Sequence, residues 1–251
     1  MSKVVATTHR RRHAHGFPGW RTLAAQVFLV TGGALAYFLV RGLTMSNDDL
    51  AVRNARRILD LESRLGIDWE VPLQRAIDAS DALITLMNWI YIYGHWPVLV
   101  ATLVWLFIRW PSRYYTLRNA LFISGAIGLV IFALFPVAPP RLGVLDVADT
   151  VTERSRSYRT LQPPELINLY AAVPSLHFGW NLLVGIFVWR NAATLTMRVF
   201  GLAVPPAMAV AVVATGNHFV LDVLAGGIVA LSGLAVAHAV PALRDTPPWA
   251  R

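Results

Sequence analysis

Cysteine is absent from the 251-residue chain, which excludes disulfides and thiolate metal sites. Lysine is nearly absent as well, with Lys3 standing alone. Charge of either sign is scarce: Asp, Glu, Lys and Arg make up 14% of the residues, where soluble domains carry about a quarter. Hydrophobic residues reach 56%, and several apolar runs extend over about 17 to 26 residues, enough to cross a bilayer as helices. The chain therefore reads as an all-α polytopic membrane domain and not as a soluble core. The net charge of +8 does not call for a nucleic-acid partner, because the placement of the arginines follows the positive-inside rule.

Residues 1–22 form a basic tail, with Lys3, Arg10, Arg11, Arg12 and Arg21, expected to lie in the cytoplasm. The first span is 23–40. It is long for a signal peptide and no small-x-small cleavage site follows it, so it is expected to stay as an anchor. Residues 44–82 are polar and helical. Ser46 and Asp49 form a capping box, and Gly66 is the stop. Ala51, Ala55, Ile58 and Leu65 recur at helical spacing opposite Arg53, Arg56 and Arg57, a pattern that predicts an amphipathic helix lying on the membrane surface.

The second span is 83–108, with Tyr91, Tyr93 and His95 at mid-depth. An ionisable group inside a membrane is a functional candidate by default, with a packed, satisfied histidine as the alternative. Arg109, Arg113 and Arg118 are expected in the following loop, and the third span is 119–135. A long loop, 136–172, holds Pro139-Pro140-Arg141 and a polar stretch containing Arg154, Arg156 and Arg159. The fourth, fifth and sixth spans are 173–189, 199–215 and 219–240, the fifth kinked by Pro205 and Pro206. Gly226, Gly227 and Gly233 admit a close neighbour in the sixth. The domain is thus 23–241, followed by a short cytoplasmic tail, 242–251.

Two stretches carry the chemistry: Pro174-Ser175-Leu176-His177, and Asn217-His218 followed by Asp222. His218 and Asp222 are four apart, so a helix stacks them on one face, where the carboxylate can hold the imidazole's tautomer and support its charge. Ser175 and the unpaired N–H groups at the start of the helix bearing His177 can receive an anion. Two histidines, an aspartate and an anion pocket suffice for phosphoryl transfer without metal or cofactor. Span parity brings the parts together. With the N-terminus in the cytoplasm, the inner segments carry Lys3, Arg10, Arg11, Arg12, Arg21, Arg109, Arg113, Arg118, Arg190, Arg198, Arg244 and Arg251 against Asp245. Arg141, Ser175, His177, His218 and Asp222 then all fall at the outer face.

These motifs, with Phe135-Pro136-Val137-Ala138-Pro139-Pro140-Arg141, resemble the type 2 phosphatidic acid phosphatase superfamily, in particular its Aur-type inositolphosphotransferase branch; the likeness runs over about residues 88–227. The resemblance implies six membrane helices, His218 as nucleophile on phosphorus and Asp222 as its support. It implies His177 as the acid and later the base, and Ser175 and Arg141 on the phosphoryl oxygens. Tyr91, His95 and Asn217 are candidates for the substrate pocket. The chain departs from the wider superfamily in lacking the lysine of its first motif, in having Val212 six residues before His218, and in having Leu176 between serine and histidine.

The expected function is transfer of a phosphoryl-linked group from a membrane lipid to a polyol, at the outer face of the plasma membrane. Water as acceptor would make the same site a phosphatase. A non-enzymatic lipid-binding protein is the second class. A transporter would show repeated halves or charges deep in several spans, and neither is present.

Overall fold

The computed structural model describes residues 19–43, 48–154 and 168–240. Among them the chain forms ten helices: α1 (Trp20–Leu43), α2 (Asp48–Leu65), α3 (Glu70–Asp78), α4 (Asp81–Tyr93), α5 (Trp96–Arg109), α6 (Pro111–Leu134), α7 (Thr150–Arg154), α8 (Leu176–Asn191), α9 (Leu195–Ala214) and α10 (Val220–Ala239). No strand is present among the described residues; one isolated parallel bridge joins Val137 and Ala171.

Helices α1, α6, α9 and α10 are each long and apolar enough to cross a bilayer alone. The run expected as one span over 83–108 is broken instead. Helices α4 and α5 meet at 43° around Gly94 and His95 and make a fifth crossing only as a bent pair. Pro97 accounts for the break: it has no N–H to offer the carbonyl of Tyr93, and its ring would strike that carbonyl in a continuous helix. Helix α8 has 16 residues, shorter than the roughly 20 that span a hydrocarbon core. Large apolar side chains stand bare on these helices, including Phe28 at 82%, Leu134 at 78% and Leu195 at 76% exposure. Such surface suits lipid, and the protein is an integral membrane protein.

One further expectation is corrected. Arg113 and Arg118 do not lie in a loop: α6 begins at Pro111, placing both in its first turns. Proline at the first helical position loses no hydrogen bond, since that N–H has no partner in the helix. Helix α2 stops at Gly66, as expected, where φ is +68°, and α3 follows. On the apolar stripe of α2, Ala51 and Ala55 are fully buried against Val137, Ala138, Ala172 and Phe219, whereas Leu65 at its end is 58% exposed. Ser46 lies outside the described residues.

Helix α8 is central, packed on α9 and α10, and α10 packs in turn on α6. The backbones approach closely. A Cβ on Gly179 would collide with the Gly226 carbonyl oxygen, and one on Gly226 with that of Ser175. Helix α9 continues through Pro205 and Pro206. Outside the bundle, polar side chains of α2, α3 and α4 satisfy loop backbone that would otherwise be left unpaired. Asn54 donates to the Pro136 carbonyl, Gln74 bonds both the carbonyl and the N–H of Ala148, and Asn88 donates to the carbonyl of Thr150. The segment bearing Arg141 is pinned in this way.

Candidate active site

Helix α9 ends at a turn closed by Gly216, whose φ of +71° is the left-handed region that favours glycine. The N–H groups of Asn217 and His218 both return to the Val212 carbonyl, and the Arg141 N–H donates to the Gly216 carbonyl at 3.0 Å. This turn sets His218 immediately before α10. Its Nδ1 lies 2.9 Å from the Ala172 carbonyl oxygen and 3.3 Å from Asp222 Oδ2. A carbonyl only accepts, so Nδ1 carries the hydrogen, and the lone pair of the neutral ring is on Nε2.

Asp222 is fully buried. Besides facing His218, it accepts from the Phe219 N–H at 2.9 Å, and its backbone carbonyl accepts from the Ser175 N–H at 2.9 Å. The two histidine motifs are thereby tied together. Ser175 is fully buried and caps α8, its Oγ accepting from the Phe178 N–H at 3.5 Å.

One pocket collects His177, His218, Arg141, Asn217, Tyr91 and His95. The rings of His177 and His218 have centroids 6.1 Å apart, Tyr91 stacks on His177 at 4.5 Å, and His95 lies beyond at 4.4 Å. Ser175 is not among the residues lining this pocket. Arg141 is nearly buried: its Nε donates to Asn217 Oδ1 at 3.1 Å and pairs with Asp149 at 3.3 Å, while its Nη1 is buried with no partner. Arg154 pairs with Asp81 at the surface; Arg156 and Arg159 lie outside the described residues. Among the described residues no group of three or more His, Asp or Glu side chains is arranged to hold a metal ion.

Two residues that sequence reasoning passed over stand directly behind the site. Glu62 of α2 and Glu70 of α3 are buried, and their Oε1 atoms accept from the N–H groups of Leu221 at 2.6 Å and Val220 at 2.9 Å. With Asp222 on Phe219, three carboxyl groups occupy the start of α10 and take up N–H groups that have no partner within the helix. That terminus is closed to a phosphate. Burial pushes Glu62 up to about 8, opposed by the Leu221 N–H and reinforced by the charges of Glu70 and Asp222. Burial raises Glu70 likewise. Glu62 was visible in the pattern: 51, 55, 58 and 62 share one helical face, so an acid sits on the apolar stripe.

A family model described as the PAP2 superfamily matches residues 56–236, and the chain belongs to that superfamily. No curated protein matches the chain. The crystal structure of LpxE from Aquifex aeolicus superposes with a TM-score of 0.52 at 16% identity, over 68% of this chain and 94% of that one. At that identity the likeness concerns the fold.

Proposed function

We propose that the protein is a metal-independent lipid phosphotransferase of the Aur-type branch, working at the outer face of the plasma membrane on a six-span bundle in which α8 and the α4–α5 pair each count as one crossing. The observation that carries the reading is His218 held by the Ala172 carbonyl and Asp222 in the form that presents Nε2, in one pocket with His177. In the first step the Nε2 lone pair attacks phosphorus, the bond from phosphorus to the leaving oxygen breaks, and His177 gives that oxygen a proton. In the second, a hydroxyl attacks the phosphohistidine, its proton passes to His177, and the N–P bond breaks. Arg141, which lines the same pocket, meets the phosphoryl oxygens, with Ser175 fixing the helix that carries His177. Charge spread over these oxygens makes fixed donors the main source of rate enhancement.

A lipid substrate is supported by an apolar cavity between α1, α5 and α6, which shares Tyr37, Trp96 and Trp180 with the catalytic pocket. Hydrolysis, with water in place of the polyol, is the second reading. Membership of a superfamily named for a phosphatase favours it. The test is incubation of the full chain in lipid nanodiscs with labelled lipid phosphates, with and without polyols, and separation of products by mass. Formation of a polyol phosphate supports transfer, and release of inorganic phosphate alone supports hydrolysis. No product with any donor, or full activity in His218→Ala, rejects both.

A further inference from the structure

We infer that Asn181 is a positioning residue that fixes His95 in its Nε2–H tautomer, so that of the two adjacent imidazoles in the pocket His177 is the one that takes up the transferable proton. The role of His177 rests on the reading above; the tautomer of His95 does not.

Asn181 is buried on α8, one turn beyond His177. The spacing repeats that of His218 and Asp222, with an amide where the other pair has an acid. Asn181 Nδ2 lies 2.8 Å from the backbone carbonyl oxygen of His177 and 2.9 Å from His95 Nδ1. The carbonyl contact fixes which way the amide points: turned over, it would set oxygen against oxygen. An amide nitrogen has two hydrogens. One goes to the carbonyl and the other to His95 Nδ1, which must therefore accept. The hydrogen of the His95 ring is then on Nε2. A protonated His95 would carry a hydrogen at Nδ1 as well and would lose the Asn181 bond.

The remaining atom of the amide supports a task beyond packing. Asn181 Oδ1 is buried with no partner. Such atoms are rare in folded proteins and call for an explanation other than stability. Here the amide is held for its two donors. The surroundings do not reverse the preference. His95 lies between the His177 ring at 4.4 Å and the Trp180 ring stacked at 5.8 Å, with Tyr91, Tyr37, His218 and Arg141 as the other titratable groups of the pocket. No carboxylate lines it among the described residues. Two cationic rings at that separation would repel, so a device that assigns the proton to one of them keeps the acid in place. His95 then remains a donor through Nε2 throughout the cycle. The consequence matters in a chain whose sole lysine, Lys3, is remote in sequence from every residue of the pocket.

The test uses the full chain in lipid nanodiscs with 15N-labelled histidine, the His95 signals being assigned by their loss in His95→Gln. Nitrogen shifts at neutral pH are expected to show Nε2 protonated and Nδ1 bare. The opposite tautomer overturns the inference. In Asn181→Asp a carboxylate gives up the bond to the His177 carbonyl and turns to accept from His95 Nδ1, so the tautomer should reverse and His95 should compete for the proton of His177. Turnover should then fall, with kcat down at least about tenfold, a part of the roughly 10²–10⁴-fold that a general acid–base contribution supplies, and KM little changed. If Asn181→Asp does not fold, Asn181→Leu serves, with a mixture of His95 tautomers expected. An Asn181 that only packs would lower Tm in these variants and leave the wild-type tautomer, which would also overturn the inference. Should the wild-type chain show the Nε2–H tautomer but turn over no lipid phosphate, the assignment of His95 stands and the proposed function fails.

Discussion

His218 Nδ1 lies within 3.3 Å of Asp222 Oδ2, yet its shorter contact, 2.9 Å, is to the backbone carbonyl of Ala172. The imidazole thus has two acceptors at one nitrogen, and either alone would fix its tautomer. This separates the two tasks a carboxylate performs beside a histidine: orienting the ring and stabilising its positive charge.

The first prediction follows from that division. His218→Ala should abolish turnover. Asp222→Asn should lower kcat by less than the roughly 10⁴-fold lost when the orienting aspartate of a serine protease is replaced and the wrong tautomer results. The Ala172 carbonyl still holds Nδ1–H, and the amide oxygen of the substituted side chain can still accept from the Phe219 N–H. Steady-state turnover of a lipid phosphate by the two variants measures the difference. A loss in Asp222→Asn equal to that in His218→Ala would sink the division of tasks.

Arg141 gives the second. Its Nε is committed to Asn217 and Asp149, and the residue lines the pocket. Lysine in its place would have one nitrogen to serve Asn217, Asp149 and a ligand. Arg141→Lys is therefore expected to lose at least one charge-assisted hydrogen bond, about 1.5–3 kcal/mol, seen as a drop of about tenfold or more in kcat/KM with weaker inhibition by inorganic phosphate. Unchanged kinetics would reject Arg141 as a phosphate ligand and make it an anchor of the loop.

Much of this was legible in the sequence, for identifiable reasons. Long apolar runs announce α1, α6, α9 and α10, and the motif residues His177, His218 and Asp222 stand at or beside the starts of α8 and α10, where the sequence shows each apolar run beginning. The break at Pro97 was legible as well, but continuous hydropathy over 83–108 concealed it. Pro111 likewise marks the start of α6, although Arg113 and Arg118 suggest a loop. Other features could not be read. Glu70 reaches across 150 positions to Val220, Asn181 across 86 to His95, and Gln74 across 74 to Ala148. The partner of a polar side chain depends on tertiary proximity, and no local pattern encodes it.

The third prediction concerns packing. A methyl group on Gly226 would collide with the Ser175 carbonyl oxygen, whereas one on Gly227 would meet the edge of the Phe178 ring at 3.2 Å. Backbone cannot yield as a ring can. Gly226→Ala should destabilise by about 1–3 kcal/mol, as overpacking does, and should cost activity, since it pushes on the segment that carries His177. Gly227→Ala should be nearly neutral. Thermal unfolding in detergent compares them, and equal Tm values for the two variants would contradict the packing.

The fourth concerns topology. The chain has no cysteine, so single-cysteine variants report cleanly. Asp146 and Arg113 are both exposed, in the loop after α6 and in the first turn of α6. On intact cells, Asp146→Cys should react with an impermeant thiol reagent and Arg113→Cys should not. The reverse pattern would invert the proposed orientation.

The last prediction concerns pH and rests on Glu62. Burial moves this carboxyl from an ordinary 4.5 up to about 8, so the folded chain holds a proton that the unfolded chain releases. The sign follows from linkage. A group whose affinity for a proton is raised on folding contributes stability that is complete below its unfolded value and disappears as pH rises through its folded value. Stability should therefore decline between about pH 5 and pH 8, opposite to the trend set by carboxylates that folding makes more acidic. Glu62→Gln removes the titration. Its amide oxygen can still accept from the Leu221 N–H, and it carries no charge to repel Glu70 or Asp222. The variant should match wild type near pH 5 and exceed it in Tm near pH 8, with α10 still capped and His218 still in place. Glu70→Gln should act in the same direction, since burial raises that carboxyl too. Wild-type and Glu62→Gln proteins whose Tm values run parallel from pH 5 to pH 8 would show that the Glu62 proton has no part in stability.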